Sequence, residues 1–364
     1  MVFQFGLTIV LIFCNLVVYR QIKFIKNKNL GFDRENLVMV YLEGDLSKKM
    51  ETFLNEANRL PGLKSATVST TSPLQAGNST IAVEWPGKVS DEKILFTQMA
   101  VGYDYIMTMG IELKEGRDFS VDVASDSAAY IINEETAKKM RLENPVGQNI
   151  TFWGRPGKII GVMKDYHINS LHNPIEPVIL HFHPEWSNVM IARTEPGATT
   201  EALEGLKGLT AQLNPAYPFE YHFVDETFAQ QYKSESTVGT LANYFTILAI
   251  FISCLGLMGL IVFTSEQRTK EIGVRKVLGA SVRSILFLLS RDFMVLVIIS
   301  FIISTPLAFY LMSNWLQGYA YRIDIGWQIF VASGAASVLI AFITVNLQGL
   351  KAALANPVES LRSE

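Results

Sequence analysis

Cysteine is nearly missing from this chain. Its 364 residues hold two, Cys14 and Cys254, and both fall inside long apolar runs. Neither a disulfide framework nor a cysteine zinc site can be assembled from them, so they read as small packing residues. No G-x-x-x-x-G-K-[ST] stretch occurs, so the chain has no P-loop with which to cradle nucleotide phosphates by itself. G-x-S-x-G, H-E-x-x-H and C-x-x-C are absent too, which leaves an enzyme reading without a specific motif. Lys and Arg number 31 against 34 Asp and Glu, so the basic excess that nucleic-acid binding requires is lacking.

Apolar residues, by contrast, make up 49% of the chain and are unevenly spread. Four runs, 1–19, 241–263, 293–312 and 327–347, approach the roughly 20 residues of helix that cross a bilayer. The first lacks a basic n-region and an A-x-A-like cleavage site, so it reads as a span rather than a signal peptide. It starts at Met1 with no charge ahead of it, and we expect the natural protein to extend further at this end. The other three runs contain no acidic or basic residue. An ion-coupled carrier usually places a carboxylate or histidine there, so its absence argues against one. Ala249, Ser253 and Gly256, and Ser333, Ser337 and Ala341, would permit close helix packing, although ordinary span composition explains them equally well. Pro306 is expected to kink the third span.

Four spans put residues 20–235 and 313–326 on one side, and 264–292 and 349–364 on the other. Arg268, Lys270, Arg275, Lys276, Arg283 and Arg291 mark the short connector and its exit, with Lys351 and Arg362 in the tail; Arg20, Lys23, Lys26 and Lys28 follow the first span. Large translocated domains obey the positive-inside rule poorly, so the connector carries more weight and is assigned to the cytoplasm. Trp315, Tyr319, Tyr321 and Trp327 bracket the outer loop as an interfacial aromatic belt would.

Residues 20–235 have ordinary globular composition. Segments 36–42 and 63–70 read as strands around a helix at 47–60, with Ser47 as its cap; 188–194 and 219–225 read as strands around a helix at 199–214. These two β-α-β units predict a split α+β lobe. Between them, 92–185 reads as an inserted, mostly β lobe with turns at 144–147 and 154–157 and a short helix at 133–140 capped by Asn133. From Asp225 onward a helix is expected to run unbroken into the second span. His167, His172, His181, His183 and His222, with Asp165 and Glu176 nearby, are the candidates for a metal site, with His181 and His183 on one strand face. No helical H-x-x-x-H exists and a proline-broken loop carries them, so solvated or core histidines are the expectation. The turn at 115–119 offers no nucleophile–base pairing for Asp118.

The connector is the most informative stretch: "EQRTKEIGVRKVLGAS", residues 266–281. Glu266 with Lys270, and Glu271 with Arg275, stand at i,i+4 in the favourable order, each pair worth about 0.2–0.5 kcal/mol on an isolated helix. Ile272, Val274, Val277 and Leu278 supply an apolar side. Gly279 stands where a helix stop belongs, and Ser281 can cap the next helix. That helix, 282–293, is expected to lie near the interface before turning into the third span. A loop serving topology alone would need a few basic residues, not an ordered stop and restart.

This stretch, together with "GLKAALANPVESLRSE" at the end of the chain, resembles the signature of the FtsX-like, MacB-type permeases of ABC transporters. The layout of one span, a large domain and three spans resembles theirs as well. The resemblance implies a membrane α-helical fold of four transmembrane helices with a large extracytoplasmic α+β domain of two lobes. It implies spans at 1–19, 236–263, 293–312 and 327–348, a domain at 20–235 with 92–185 inserted, an outer loop at 313–326, and cytoplasmic segments at 264–292 and 349–364. It further implies that a separate ABC ATPase subunit binds ATP, with no cofactor in this chain, and docks on Glu266, Arg268, Lys270, Glu271, Ile272, Gly273, Arg275, Lys276, Leu278, Gly279 and Ala280. A second permease copy or a homologous half, the lipid bilayer and a periplasmic adaptor are the other expected partners, in the bacterial inner membrane. Many relatives begin with a basic cytoplasmic segment that this sequence lacks, so it reads as the C-terminal half of a longer permease or a shortened frame. A receptor or regulator acting on a periplasmic partner without transport, and a membrane-anchored enzyme, are the alternatives.

Overall fold

The computed structural model describes residues 1–75, 78–268, 271, 274–275 and 278–354. The chain folds as two units, Met1–Asn27 with Lys233–Glu364, and Lys28–Tyr232.

The first unit is helical. Helix α1, Val2–Asn27, continues past the apolar run and takes in Arg20, Lys23 and Lys26. Helix α8, Lys233–Gln267, carries the second span. The third-span helix is Val282–Leu316 and the fourth is Trp327–Leu354. All four are long and apolar enough to cross a membrane. α1 is the most enclosed of them. Phe5 meets Leu257, Ile261, Phe293, Val297, Ala341 and Val345 at one end, and Phe13 and Val17 meet Ala308, Met312, Leu316 and Ile329 at the other. Lipid tails supply no hydrophobic drive between spans, so packing and interhelical hydrogen bonds hold them together. Thr8 Oγ1 meets Ser253 Oγ at 2.7 Å, Gln4 Nε2 donates to Ile252 O at 2.8 Å, and Gln21 bridges Tyr321 O and Ile323 N. Ser253, Ser333, Ser337 and Ala341 are all buried.

Two expectations are corrected in this unit. Residues 282–293 do not turn into the third span but form one helix with it, and that helix contains Pro306. Tyr319 is not a belt residue: it is buried against Trp315, with ring centroids 5.1 Å apart, and closes the end of the bundle. Trp327 is the strongly exposed member of that group.

The second unit is built on one twelve-stranded sheet. Strand β1 (Leu37–Tyr41), helices α2 (Asp45–Lys48) and α3 (Met50–Ala57), and strand β2 (Leu63–Ser69) come first. Strands β3 (Asn78–Thr80), β4 (Val83–Glu84) and β5 (Phe96–Val101), helix α4 (Tyr105–Met109) and β6 (Leu113–Gly116) follow. Then come β7 (Ala129–Asn133), α5 (Glu134–Lys139), β8 (Asn149–Phe152), β9 (Arg155–Met163) and β10 (Val178–Phe182). The unit ends with β11 (Val189–Thr194), α6 (Thr199–Leu213), β12 (His222–Phe223) and α7 (Val224–Gln231). The path is β12-β1-β11-β2-β5-β10-β7-β9-β8-β4, with β3 also on β5 and β6 also on β9. β11 pairs antiparallel with both β1 and β2, so the late strand splits the early β-α-β unit. α3 and α6 bury Phe53, Ala57, Ala202 and Leu206 against Val40, Val68 and Met190. A second core gathers Phe96, Tyr130, Ile132, Ile150, Phe152 and Ile159. The two halves of the sheet join through one β2–β5 register pair, Ser69 with Val101. Gly157 lies under the Ala128 carbonyl and the Tyr130 ring, where a Cβ would collide with both.

Local readings differ here in three places. The helix at 47–60 is two pieces, and Ser47 does not cap it but donates its hydroxyl to Gly44 O within the first piece. The strand at 219–225 shrinks to His222–Phe223, because only Val38 and Met39 at the sheet edge pair with it. The helix toward the second span is interrupted at Tyr232, with φ −108° and ψ 20°. That residue is buried, its hydroxyl accepts from Leu171 N at 2.7 Å, and its ring stacks on His172. Anchoring Tyr232 in the domain outweighs helix continuity.

His181 and His183 are neighbours, with ring centroids 5.3 Å apart, whereas His172 packs on Tyr232 and His222 on Tyr41. Among the described residues no group of three His, Cys, Asp or Glu could hold a metal. Burial pushes His167 down to about 4 and His181 down to about 3, while burial raises the Asp118 carboxyl to about 6. The depressed histidines contribute stability above the unfolded value near 6.5 that is lost as pH falls; the raised carboxyl does the reverse, losing stability as pH rises from 3.8 through 6. Between pH 4 and 6 these three groups together contribute a loss of roughly 1 kcal/mol per pH unit on acidification. Asp118→Asn removes the opposing contribution and should steepen the loss by roughly 1 kcal/mol per pH unit, which unfolding midpoints of both proteins across this range would measure; equal slopes would refute the assignment.

Candidate functional site

The connector between α8 and the third-span helix is built from a helix end, a stop and a restart. Arg268 N still donates to Thr264 O at 3.0 Å, so helical bonding continues beyond Gln267. Arg268 Nη2 lies 3.0 Å from Asp292 Oδ2, pairing the end of α8 with the third-span helix. Both groups are solvent-accessible, which limits the pair to about 1 kcal/mol or less. Glu271 and Arg275 form an i,i+4 ion pair at 2.8 Å on helical backbone.

The stop has a definite geometry. Leu278 N donates to Val274 O at 3.0 Å, and Ala280 N reaches back to Arg275 O at 2.9 Å. Gly279 has φ +88°. A six-to-one bond over a left-handed glycine is the Schellman ending, which satisfies carbonyls that the helix would otherwise leave open. Two residues later the next helix begins: Ser281 is extended, and its Oγ accepts from Ser284 N at 3.3 Å. Every step follows from local chemistry, a glycine where φ must be positive and a serine where an N–H needs an acceptor.

Apolar side chains stand uncovered beside these charges. Leu278 is 80% exposed and Phe287 73%. Charged pairs interleaved with exposed Leu and Phe suit a protein partner better than bulk solvent. Glu266, Arg268, Glu271, Arg275, Leu278, Gly279 and Ala280 are all placed on this segment. Lys270, Ile272, Gly273 and Lys276 lie outside the described residues, as do the side chains of Arg283, Ile285, Leu288, Leu289 and Lys351 and the 355–364 tail. Asp292 was missed by sequence reasoning; its signal was an acidic residue beside Arg291 at the mouth of an otherwise uncharged span.

A model of the FtsX-like permease C-terminal family matches residues 243–357, which contain the whole connector. A model of the MacB-like periplasmic core domain matches residues 11–206, more than half of the chain. The chain belongs to the FtsX-like, MacB-type family of ABC transporter permeases. It is similar to the macrolide export ATP-binding/permease protein MacB of Neisseria meningitidis serogroup A, 26% identical over 279 residues, which is 72% of this chain and 43% of that protein. The chain thus spans less than half the length of that MacB relative. It is also similar to a Bacillus subtilis protein described as an uncharacterized ABC transporter permease, YknZ, 22% identical over 317 residues, covering 84% of this chain and 77% of that one. A crystal structure of the periplasmic region of MacB from Actinobacillus actinomycetemcomitans aligns with a TM-score of 0.41 at 19% identity, over 57% of this chain and 97% of that one. As a permease of this family, the chain is a multi-pass membrane protein with one large domain between its first and second spans.

Proposed function

We propose that this chain is the membrane-spanning subunit through which a separate ATP-hydrolysing subunit moves an extracytoplasmic domain, a mechanotransmission that serves export or extraction of a substrate. The observation that carries this reading is the connector: a charged helix, a Schellman stop and a capped restart in the short gap between two spans. Such a segment presents fixed charges and apolar side chains to a docking partner. The uncharged spans support motion passed along the helices rather than a polar solute led between them. In this reading the connector is cytoplasmic, residues 28–232 lie outside the bacterial inner membrane, and ATP is held by the partner with no cofactor in this chain. The unit works with a second permease copy or a homologous half, and a periplasmic adaptor extends it.

The test is charge reversal within the ion pair. Held apart from any partner, the Glu271–Arg275 pair is worth about 0.2–0.5 kcal/mol, too little to unfold anything. Glu271→Lys and Arg275→Glu should each lower ATPase-dependent activity by about tenfold in membranes containing the partner subunit. The double swap restores the intrahelical pair but presents the charges in the wrong places, so it should stay inactive. Full activity in either single variant, or full rescue by the swap, would remove the docking assignment.

A further inference from the structure

The chain passes between its two units twice, at 27–28 and at 232–233. Both passages are received by one short segment of the large domain. Residues 164–177, between β9 and β10, form neither helix nor strand. A connection of that length in a packed domain usually runs over the surface and carries function. This one runs inside instead: Tyr166, His167, Ile168 and Leu171 are all buried.

The first passage lands on the start of the segment. Leu30 O accepts from His167 N at 2.7 Å. Gly31 follows with φ +86°, and a Cβ there would run into Asp165 O and the Tyr166 backbone, so glycine alone lets the chain lie this close. Phe32 then sets its ring edge-on to Tyr166, with centroids 6.2 Å apart. The second passage lands further along. The Tyr232 hydroxyl accepts from Leu171 N at 2.7 Å and from Ser170 Oγ at 3.2 Å, which its two lone pairs allow. Its ring stacks on His172 at 6.4 Å. Tyr232 leaves the helix to do this, since α7 ends at Gln231 and α8 begins at Lys233.

The other side of the segment holds the second half of the sheet. Asp165 Oδ1 accepts from Asn133 Nδ2 and Glu135 N, both at 2.9 Å, where β7 meets α5. The Tyr166 hydroxyl lies 3.7 Å from Met99 Sδ on β5. Asn169 Nδ2 donates to Glu176 Oε1 at 3.0 Å, and Glu176 Oε2 accepts from Thr97 Oγ1 on β5 at 2.6 Å. Buried groups gripped from two sides move together, because a close-packed interior transmits strain.

We propose that residues 165–172 are the yoke through which both membrane passages act on β5 and β7, with Tyr232 the positioning residue that couples α8 to it. This rests on the reading that an ATP-hydrolysing partner moves the domain. It adds where that motion enters the domain and which strands receive it. The rival route starts at Gln231, whose Nε2 donates to Leu74 O at 2.9 Å.

The test is amide hydrogen exchange on the full chain, in membranes containing its ATPase subunit, without nucleotide and trapped with ATP and vanadate. In the parent, trapping should alter exchange in 164–177, β5 and β7. Tyr232→Phe keeps the ring and removes the hydroxyl. It should cut the nucleotide-dependent change in β5 and β7 by about threefold or more, while ATP hydrolysis continues at the parent rate. A merely structural loss would raise exchange in both states and leave their difference intact. Phe32→Leu should uncouple in the same way from the first passage, and Gln231→Ala should leave the response in place. Glu271→Lys should instead lower hydrolysis and response together. An unchanged response in Tyr232→Phe, an equal loss in Gln231→Ala, or a fall in hydrolysis that matches the fall in response would overturn the proposal alone. No nucleotide-dependent change anywhere in the parent's large domain would overturn the reading beneath it as well.

Discussion

Asn133→Leu is expected to cost the large domain about 4 kcal/mol, a large part of the 5–15 kcal/mol that a domain typically has. Asn133 ends β7, caps α5 and is fully buried. Its Oδ1 accepts from Thr136 N at 3.1 Å, Thr136 Oγ1 at 2.7 Å and Val178 N at 2.8 Å. Its Nδ2 donates to Asp165 Oδ1 and Glu176 O, both at 2.9 Å. One amide therefore joins β7, α5, β10 and the segment between β9 and β10. Leucine has similar volume and makes none of these bonds. The cap alone is worth about 1 kcal/mol, and each buried group left open adds about 1–3 kcal/mol before the site relaxes. Denaturant unfolding of both proteins, with the slope unchanged and the midpoint lowered, measures the effect. Asn133→Asp is the informative comparison: it keeps the acceptor but turns the donor into an oxygen facing Asp165 Oδ1 and Glu176 O, so its cost should rise with pH as the two carboxyl groups ionise, whereas that of leucine should not. A cost under about 1 kcal/mol for leucine would mean that the amide is not the hub that its geometry describes.

What could be read from sequence was whatever local chemistry or a fixed external length decides. A bilayer sets the length of a span, so the four spans were legible from apolar runs alone. Gly279, Ser281 and Asn133 were legible because a left-handed stop and an N-cap depend on one residue and its immediate neighbours. Family membership was legible for the same reason, since the 266–281 stretch carries its pattern in consecutive residues. Tyr232 breaks an otherwise good helix because its ring and hydroxyl are wanted by His172 and Leu171, sixty residues away. Tyr319 looked interfacial by composition and is buried by the bundle's own closure. Arg268 finds Asp292 across 24 residues, and His181 Nε2 finds Gln98 Oε1 on another strand. Those features depend on which elements become neighbours, and no periodicity in one segment records it.

Gly279→Val should abolish ATPase-dependent activity while leaving the chain folded and inserted. Gly279 has φ +88°, a region in which a β-branched residue is strongly disfavoured, and nothing lies within 4 Å of where its Cβ would stand. The substitution therefore acts through backbone conformation and not through a clash. Left-handed valine costs about 2 kcal/mol or more, comparable to what one surface helix ending gains from its cap. The ending is then expected to open: Ala280 N loses Arg275 O, and the angle between the helix holding Glu271 and Arg275 and the helix starting at Ser281 is no longer set. A partner gripping both sides of the stop would lose the rigid link between them, and we expect at least a tenfold fall in activity. Gly279→Asn is the informative comparison, because asparagine tolerates the left-handed region and should retain most of the activity. Thermal unfolding in detergent should differ little among the three proteins, since the bundle cores at Phe5 and Phe13 are untouched. If valine and asparagine fall together, side-chain bulk and not backbone conformation decides the outcome; if neither falls, the rigid stop is not needed and the proposed docking role of the connector loses its support.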